Sequence, residues 1–151
     1  KGKKIKETLI ESSSNVDELT PVSNIDESKQ NLFIFDDLVT EKNLETVEEL
    51  WIRGRKSNAS SIFISQSYFR TPKMIRDNSN YFILTKFLKG NDLSKIAYDQ
   101  SGSMEPDEFK RLYRLATKDQ WNFFLIDNKT QKDELRLRRN FSYSLISNRQ
   151  L

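Results

Sequence analysis

Four short apolar runs constrain the fold of this chain more than any other feature of its sequence. They read LFIF (32–35), SSIFIS (60–65), YFILTKF (81–87) and WNFFLID (121–127). A short continuous apolar run between polar segments is typical of a buried strand. Longer segments with helical periodicity separate the runs, and strands that alternate with helices predict βαβ units. The pattern therefore predicts an α/β fold with a mainly parallel sheet and helices on both faces.

Caps and apolar spacing mark the predicted helices. Leu50 and Trp51 lie on the apolar side of the first helix and Phe109 on that of the last, so these three are predicted core residues. Residues 134–143 alternate between apolar and polar and predict an edge strand. Four helices are predicted: from an N-cap at Thr40 to Gly54, from Thr71 and Pro72 to about Asp77, over residues 92–99, and from Pro106 onward.

The composition excludes several classes of chemistry. The 151 residues include no cysteine and no histidine, and the net charge is +3. Disulfide frameworks, thiolate metal sites and catalytic triads with histidine are therefore excluded. Catalysis would rest on carboxylates, lysine, arginine, tyrosine or hydroxyl groups, with an oxygen-bound ion such as Mg²⁺. No apolar run approaches the roughly 20 residues of a membrane span, so no membrane partner is expected.

The N-terminal segment differs in composition from the rest of the chain. Residues 1–30 are polar, rich in Ser, Glu, Asp and Lys, and carry little periodicity. Such a segment predicts a linker or a surface excursion. Regular structure is predicted to begin at Asn31, so that residues 31–151 form the domain.

Polar side chains follow the apolar runs where the predicted strands end. Asp36 and Asp37 follow the first run, Gln66 the second, and Asp127 ends the fourth. Ligands of an open parallel sheet bind at the carboxyl ends of its strands. One acid would hold Mg²⁺, the second would accept a proton from an attacking water, and the amide would position that water. The alternative is that the paired acids only cap a helix or form an exposed turn; for Asp127 a strand-end cap is the favoured interpretation.

Two stretches of sequence resemble a known family. LFIFDDL (32–38) resembles the Walker B strand of a P-loop NTPase. The block GRKSNASSIFISQSYFRTPKMIRDNSNYFIL (54–84) resembles the viral DNA-packaging ATPases of the FtsK–HerA superfamily, of the poxvirus and virophage type. The resemblance covers about residues 31–143. It implies a P-loop NTPase fold, with ATP and Mg²⁺ as cofactors.

The resemblance also implies roles for individual residues. Asp36 matches the Walker B aspartate that holds Mg²⁺ through water, and Asp37 stands where many relatives have a catalytic Glu. Gln66 matches the polar sensor at the end of the next strand. Arg55 matches the arginine of a Gly-Arg turn, a candidate for a charge presented to the nucleotide of a neighbouring subunit. Relatives often have His after this arginine, where this chain has Lys56.

Two further arginines, Arg53 and Arg76, are alternative candidates for the charge presented to a neighbour. The phosphate-binding pattern G-x-x-x-x-G-K-[ST] of P-loop NTPases does not occur in the sequence. We therefore expect residues 31–151 to be the C-terminal part of an ATPase domain, from Walker B onward. As an incomplete domain it is expected to bind and hydrolyse ATP poorly by itself.

The function implied by the resemblance is an ATP-driven translocase that packages viral DNA into a capsid. Its implied partners are double-stranded DNA, further copies of itself in a ring, and capsid proteins. Its implied location is the host cell cytoplasm or virus factory, or the virion. Three alternatives remain open: a cellular or conjugative DNA translocase, a non-catalytic module that binds DNA or a partner, and an unrelated α/β protein that hydrolyses phosphate esters with Asp36 and Asp37.

Two short segments each allow two interpretations, one as a contact with nucleic acid and one as part of the fold. Residues 135–139 (LRLRR) would contact DNA phosphates, or form an edge strand protected by charge. The pair Tyr68 and Phe69 would stack on a base, or pack against the next helix, which is favoured.

Overall fold

A computed structural model describes residues 10–38, 41, 43–86 and 90–146. The chain divides into two compact units, Lys1–Ile64 and Ser65–Leu151, each with its own sheet. Thr40 lies outside the described residues, as does Phe87 at the predicted end of the third strand. The helix predicted to start from Thr40 begins at Glu45, with Leu44 at its N-cap position.

The first unit contains a pair of parallel strands. Strand β1 (Asn31–Asp36) pairs with β2 (Ala59–Ile64), with Asn31 opposite Ala59 and Asp36 opposite Ile64. Helix α1 (Glu45–Arg53) and a 3-10 turn (Gly54–Ser57) lie between them in the chain. This is the βαβ unit that the first two apolar runs predict.

Helix α1 contributes the buried residues Val47 and Leu50, which confirms Leu50 as a core residue. Trp51 is half-buried, and its ring meets the Phe63 ring edge-on with the centroids 6.4 Å apart. The opposite face of the strand pair is about half-exposed in the described part of the chain. Its apolar residues are Leu32, Ile34, Ile62 and Ile64. The continuous apolar run LFIF is therefore covered on one face here, and not on both as its pattern predicts.

Part of the polar N-terminal segment makes fixed contacts within the first unit. Two 3-10 turns, Val16–Glu18 and Val22–Asn24, contact α1, and Ile25 is buried. The side-chain amide of Asn58 donates a hydrogen bond of 2.7 Å to the backbone carbonyl of Glu27. The segment thus follows the surface of the unit, while its predicted boundary at residue 30 stays a prediction.

The second unit contains a sheet in the order β3-β4-β5-β6, in which each neighbouring pair is antiparallel. Its strands are β3 (Tyr81–Leu84), β4 (Phe124–Asp127), β5 (Leu137–Arg139) and β6 (Tyr143–Ser144). Its helices are α2 (Lys73–Asp77), α3 (Gly90–Gln100) and α4 (Pro106–Ala116).

The prediction of a mainly parallel sheet is therefore correct for β1 and β2 and wrong for the described strands of the second unit. For β3 and β4, the number of connecting helices explains the difference. A single helix returns the chain to the start of the sheet, so the next strand runs parallel. Two packed helices, α3 and α4, separate β3 from β4. The chain crosses the unit once more, and β4 enters in the opposite direction.

Helix α4 packs its apolar stripe against the second sheet. Phe109, Leu112, Tyr113 and Ala116 are all buried, at the i, i+3, i+4 and i+7 positions that face a core. The ring of Phe109 meets that of Phe124 edge-on, 5.2 Å between centroids. Phe109 is thereby confirmed as a core residue.

Residues 137–139 of the basic stretch 135–139 form the interior strand β5 of the second sheet, and Leu135 and Arg136 precede that strand. Strand β5 pairs with β4 on one side and β6 on the other, so it is not the edge strand that its alternation predicts. The arginines of the stretch all have partners in their own unit: Arg136 with the carbonyl of Gln100 at 2.7 Å, Arg138 with Asp127 at 2.7 Å, and Arg139 over the ring of Tyr143 at 4.9 Å.

Asp127 caps the end of β4, as the favoured interpretation predicts. One carboxylate oxygen accepts hydrogen bonds of 3.0 Å from the backbone N–H groups of Lys129 and Thr130. The other oxygen accepts the bond from Arg138, and both side chains are largely buried.

We expect Asp127→Ala to lower the free energy of unfolding by about 3 kcal/mol, because it leaves a largely buried guanidinium at Arg138 without its carboxylate. Urea denaturation followed by circular dichroism measures this change. The matched control is Asp119→Ala, an exposed aspartate of the same unit, for which we expect a change within about 0.5 kcal/mol. Equal losses in the two variants would contradict the role assigned to the ion pair.

Candidate active site

Two carboxylates stand at one edge of the parallel strand pair. Asp36 is the last residue of β1 and lies opposite Ile64, the last residue of β2. The backbone N–H of Asp37 donates a hydrogen bond of 3.0 Å to the carbonyl of Ile64, which extends the pairing by one residue. Asp36 and Asp37 are both exposed. The sequence prediction of two adjacent acids at the carboxyl edge of a parallel pair therefore agrees with the geometry.

The chain changes direction at the second of these carboxylates. Asp37 has a φ of 54°, in the left-handed region. Aspartate and asparagine adopt this conformation more readily than other residues with a Cβ, because their short polar side chains bond locally. The turn ends the alternation of side chains along β1 at Asp37.

The residues at this edge fit a magnesium ion that is shared with a substrate. Mg²⁺ is usually held by one or two carboxylates together with water and phosphate oxygens. Asp36 and Asp37 supply two exposed carboxylates. Across the described ranges, no three acidic side chains gather into a ligand set. Phosphate and water would therefore complete the coordination of the ion.

Gln66 follows two residues after the end of β2 and belongs to the second unit. It is exposed, and a tight turn surrounds it. The hydroxyl of Ser65 accepts a hydrogen bond of 3.1 Å from the N–H of Ser67 and donates one of 2.9 Å to the carbonyl of Ser67. The predicted strand 60–65 accordingly ends at Ile64, and the sensor role of Gln66 stays a prediction.

The segment after Gln66 is packed into the second unit through Tyr68. Its ring lies 5.0 Å from that of Phe69 and 5.8 Å from that of Phe82, between centroids. Its hydroxyl accepts a hydrogen bond of 2.9 Å from the side-chain amide of Gln100. Burial raises the pKa of the Tyr68 hydroxyl. The favoured packing interpretation is thus confirmed for Tyr68.

Arg76 is held by several groups of its own unit. Its Nε donates to the carbonyl of Thr71 at 3.2 Å, and one Nη donates to Asp99 at 3.1 Å. Its guanidinium lies over the Tyr68 ring, 4.9 Å from the centroid, and over the Phe69 ring at 5.2 Å. Only 15% of the side chain is exposed. These contacts bind α2 to the segment after Gln66.

Arg55 stands on the 3-10 turn that leads into β2. The turn begins at Gly54, where an added Cβ would lie 3.2 Å from the Cβ of Ala59, so a larger residue would crowd the strand. It ends at Asn58, whose left-handed φ of 51° directs the chain into β2. Arg55 and Lys56 are exposed. Within the described residues, no hydrogen bond or ion pair holds the Arg55 guanidinium.

Arg55 and the paired carboxylates lie at opposite ends of the strand pair. The turn of Arg55 enters β2 at Ala59, opposite Asn31 at the start of β1, whereas Asp36 is at the end of β1. Five residue steps at about 3.3 Å each separate the two edges by roughly 17 Å. Arg53 lies at the end of α1, where it pairs with Glu49 at 2.9 Å. The structure thus brings Asp36 and Asp37 together and keeps Arg55 away from them within one chain.

The family of the chain follows from its sequence match. Residues 1–131 match the family described as Poxvirus A32 protein. The chain belongs to the poxvirus A32 protein family. The resemblance to viral DNA-packaging ATPases that the sequence indicates is thereby confirmed. Among curated proteins, none matches this sequence.

Solved structures of viral packaging NTPases share the fold of this A32 family member. The genome packaging NTPase of Sulfolobus turreted icosahedral virus 2 in complex with ATP-gammaS is 15% identical, with a TM-score of 0.53 over 73% of this chain and 51% of that one. Its complex with AMPPCP is 16% identical, with a TM-score of 0.54 over 73% and 53%. The DNA-packaging ATPase of Sulfolobus turreted icosahedral virus is 15% identical, with a TM-score of 0.53 over 73% and 51%.

The A32 family member spans about half the length of these structures, which show a shared fold. The described helices include none with the length and apolar character of a membrane span.

Sequence reasoning missed several residues that shape this region. Asn58 was detectable, because asparagine between a helix and a strand is a common site of left-handed backbone. The hydroxyl turn of Ser65 and Ser67 had a weaker signal in its paired serines. No signal in the sequence indicated the partners of Arg76, because Asp99 lies 23 positions further along the chain.

Proposed function

We propose that this chain is part of an ATP-driven motor that moves double-stranded viral DNA into a capsid. The observation that carries the proposal is the pair of exposed carboxylates, Asp36 and Asp37, at the carboxyl edge of β1 and β2 in a member of the poxvirus A32 protein family. Ligands of parallel α/β sheets bind at this edge. Because the chain spans about half the length of the packaging NTPases it resembles, the activity is proposed for the full-length protein. There, β1 and β2 would belong to a larger, mainly parallel sheet.

Each site residue has one role in this proposal. Asp36 holds Mg²⁺ through water, and Asp37 accepts a proton from the water that attacks the terminal phosphate of ATP. Gln66 orients that water. When bound, Mg²⁺ neutralises charge on the phosphates. The two neighbouring acids have different tasks, so their substitution is expected to have different effects.

Arg55 acts on the nucleotide of a neighbouring subunit. Its distance from its own carboxylates, roughly 17 Å along the strands, supports a role between subunits more than one within a subunit. An exposed arginine that completes a neighbour's site requires contact between copies, so the motor is a homo-oligomeric ring. The ring works in the host cell cytoplasm or virus factory, together with capsid proteins.

The test is ATP hydrolysis by the full-length protein with and without double-stranded DNA. We expect hydrolysis that requires Mg²⁺, stops on chelation by EDTA and rises several-fold when duplex DNA is added. Binding of DNA without any hydrolysis would favour the non-catalytic module instead. Cleavage of DNA with Mg²⁺ and without ATP would favour the phosphate-ester hydrolase, and either result would overturn the proposal.

A further inference from the structure

Several aromatic side chains of the second unit are mostly exposed, and three of them lie on two segments that contact each other. The exposed fractions are 88% for Trp121, 67% for Phe141 and 63% for Tyr143. Trp121 lies in the connection from α4 to β4, Phe141 lies in the turn from β5 to β6, and Tyr143 is the first residue of β6. Aromatic rings of this size normally bury most of their surface. These three residues are called the aromatic platform below.

The two segments that carry the platform are joined by side-chain and backbone contacts. The N–H of Asn140 donates to the carbonyl of Phe123 at 3.0 Å, and the N–H of Phe123 donates to the side-chain carbonyl of Asn140 at 3.1 Å. The Asn140 amide also donates to the Asn122 side chain at 2.9 Å. The ring of Phe141 meets that of Phe123 edge-on at 5.1 Å. The platform therefore rests on a fixed support.

Two residues of this support have left-handed backbone conformations, Trp121 with a φ of 69° and Asn140 with a φ of 55°. Asparagine adopts this region readily, whereas a bulky residue such as tryptophan does so at a cost on the order of 1 kcal/mol. With 88% of its surface exposed, Trp121 recovers little of that cost by burial. A strained and exposed tryptophan on a rigid support indicates a ligand outside the unit.

The net charge of the unit that carries the platform favours a polyanion as the ligand. The second unit, residues 65–151, has 16 lysines and arginines and 10 aspartates and glutamates, a net charge of +6. Residues 1–64 have 9 and 12, a net charge of −3. Arg139 lies over the ring of Tyr143 at 4.9 Å, and exposed Arg114 and Lys118 precede Trp121 in the chain.

We propose that the aromatic platform binds DNA whose bases are unstacked, as in a single strand or an opened end. Aromatic rings bind nucleic acid by stacking on base faces, and nearby cations accommodate the phosphates. Intact duplex DNA buries its base faces in its own stack and offers the rings no partner. The inference rests on the proposed function only in taking DNA as the nucleic acid, and it adds the form of DNA and the surface that binds it.

The test is binding of a fluorescently labelled oligothymidine to the full-length protein in nucleotide-free buffer, followed by anisotropy. We expect Trp121→Gly to weaken binding of the single strand by about 5- to 150-fold, the range for removal of one stacked base. Glycine adopts the left-handed backbone of Trp121 without strain, so the variant should stay folded. Phe141→Ala should also weaken binding, and the affinity for a duplex with closed hairpin ends should change less than twofold.

The matched control is Tyr98→Ala on α3, which removes an aromatic side chain that is 82% exposed and lies outside the platform. It should leave both affinities unchanged. Equal single-strand affinity in the wild type, Trp121→Gly and Phe141→Ala would overturn the inference. Loss of self-association in Trp121→Gly by sedimentation, with DNA affinity unchanged, would assign the platform to a second copy instead. Because no step uses ATP, absent hydrolysis would overturn the proposed function and leave this result standing.

Discussion

Asp37→Asn should reduce ATP turnover by the full-length protein on the order of 10³-fold, the typical effect of losing a general base. Nucleotide affinity should change less than twofold, because the substitution removes a proton acceptor and no group that holds the phosphates. The backbone favours this particular substitution. Asparagine tolerates the left-handed φ of 54° at this position as well as aspartate does. The variant therefore removes the carboxylate and keeps the backbone turn at this position.

Steady-state hydrolysis and equilibrium binding of a fluorescent ATP analogue measure the two quantities separately. Asp119→Asn, the same change at an exposed aspartate of the second unit, is the matched control and should keep both values. Asp36→Asn should instead raise the Mg²⁺ concentration needed for half-maximal turnover. Turnover of Asp37→Asn within about threefold of the wild type would remove Asp37 from the role of base, since even weak general bases contribute more.

Arg55→Ala should lower turnover by a similar amount, on the order of 10³-fold, because an arginine at the transferred phosphate contributes at least that much in related phosphoryl-transfer sites. The loss should be restored in mixed rings. A subunit with Arg55→Ala keeps its own Asp37, and a neighbour with Asp37→Asn supplies the missing guanidinium. Each variant alone should be nearly inactive, whereas the mixture should contain junctions that hydrolyse ATP.

The readout is turnover across mixing ratios at constant total protein, with a maximum expected near equal amounts. Lys56→Ala is the matched control, since it removes the adjacent exposed cation of the same turn, and it should keep most of the activity. If no ratio regains turnover, Arg55 does not act between subunits. Arg53 would then be the next candidate, because its pairing with Glu49 is exposed, whereas Arg76 is largely buried.

The sequence predicts the first unit better than the second, for a physical reason. The apolar runs 32–35 and 60–65 correspond to β1 and β2, which are joined by one amphipathic helix, and a single helix between strands makes them parallel. Strand β4 lies within the predicted run 121–127 but begins only at Phe124, and its direction depends on two helices packing together between it and β3. An apolar run indicates that a strand is buried, but it does not indicate the direction in which the strand runs in the sheet.

The residues of the candidate site were also predictable only where their position depends on local sequence. Asp36 and Asp37 were predictable because they follow a strand directly, so their position needs only the strand itself. The contacts of Arg76 with Asp99 and of Arg138 with Asp127 join residues 23 and 11 positions apart, and charge alone does not select one partner among many. The basic stretch 135–139 does not by itself predict DNA contact, because Arg136 and Arg138 already bind groups of their own unit.

The placement of Arg55 and Asp37 at opposite ends of one strand pair gives each subunit a polarity. In a ring of the proposed kind, every subunit would contact its neighbour head to tail, so that each interface is heterologous. In such a ring each ATP would be enclosed by the acids of one copy and the guanidinium of the next, so an isolated copy would be inactive. Hydrolysis at one junction would release an arginine that belongs to one particular neighbour and not to the other. The sheet would thereby set the direction in which hydrolysis passes around the ring, which a motor needs if its steps are to accumulate along DNA.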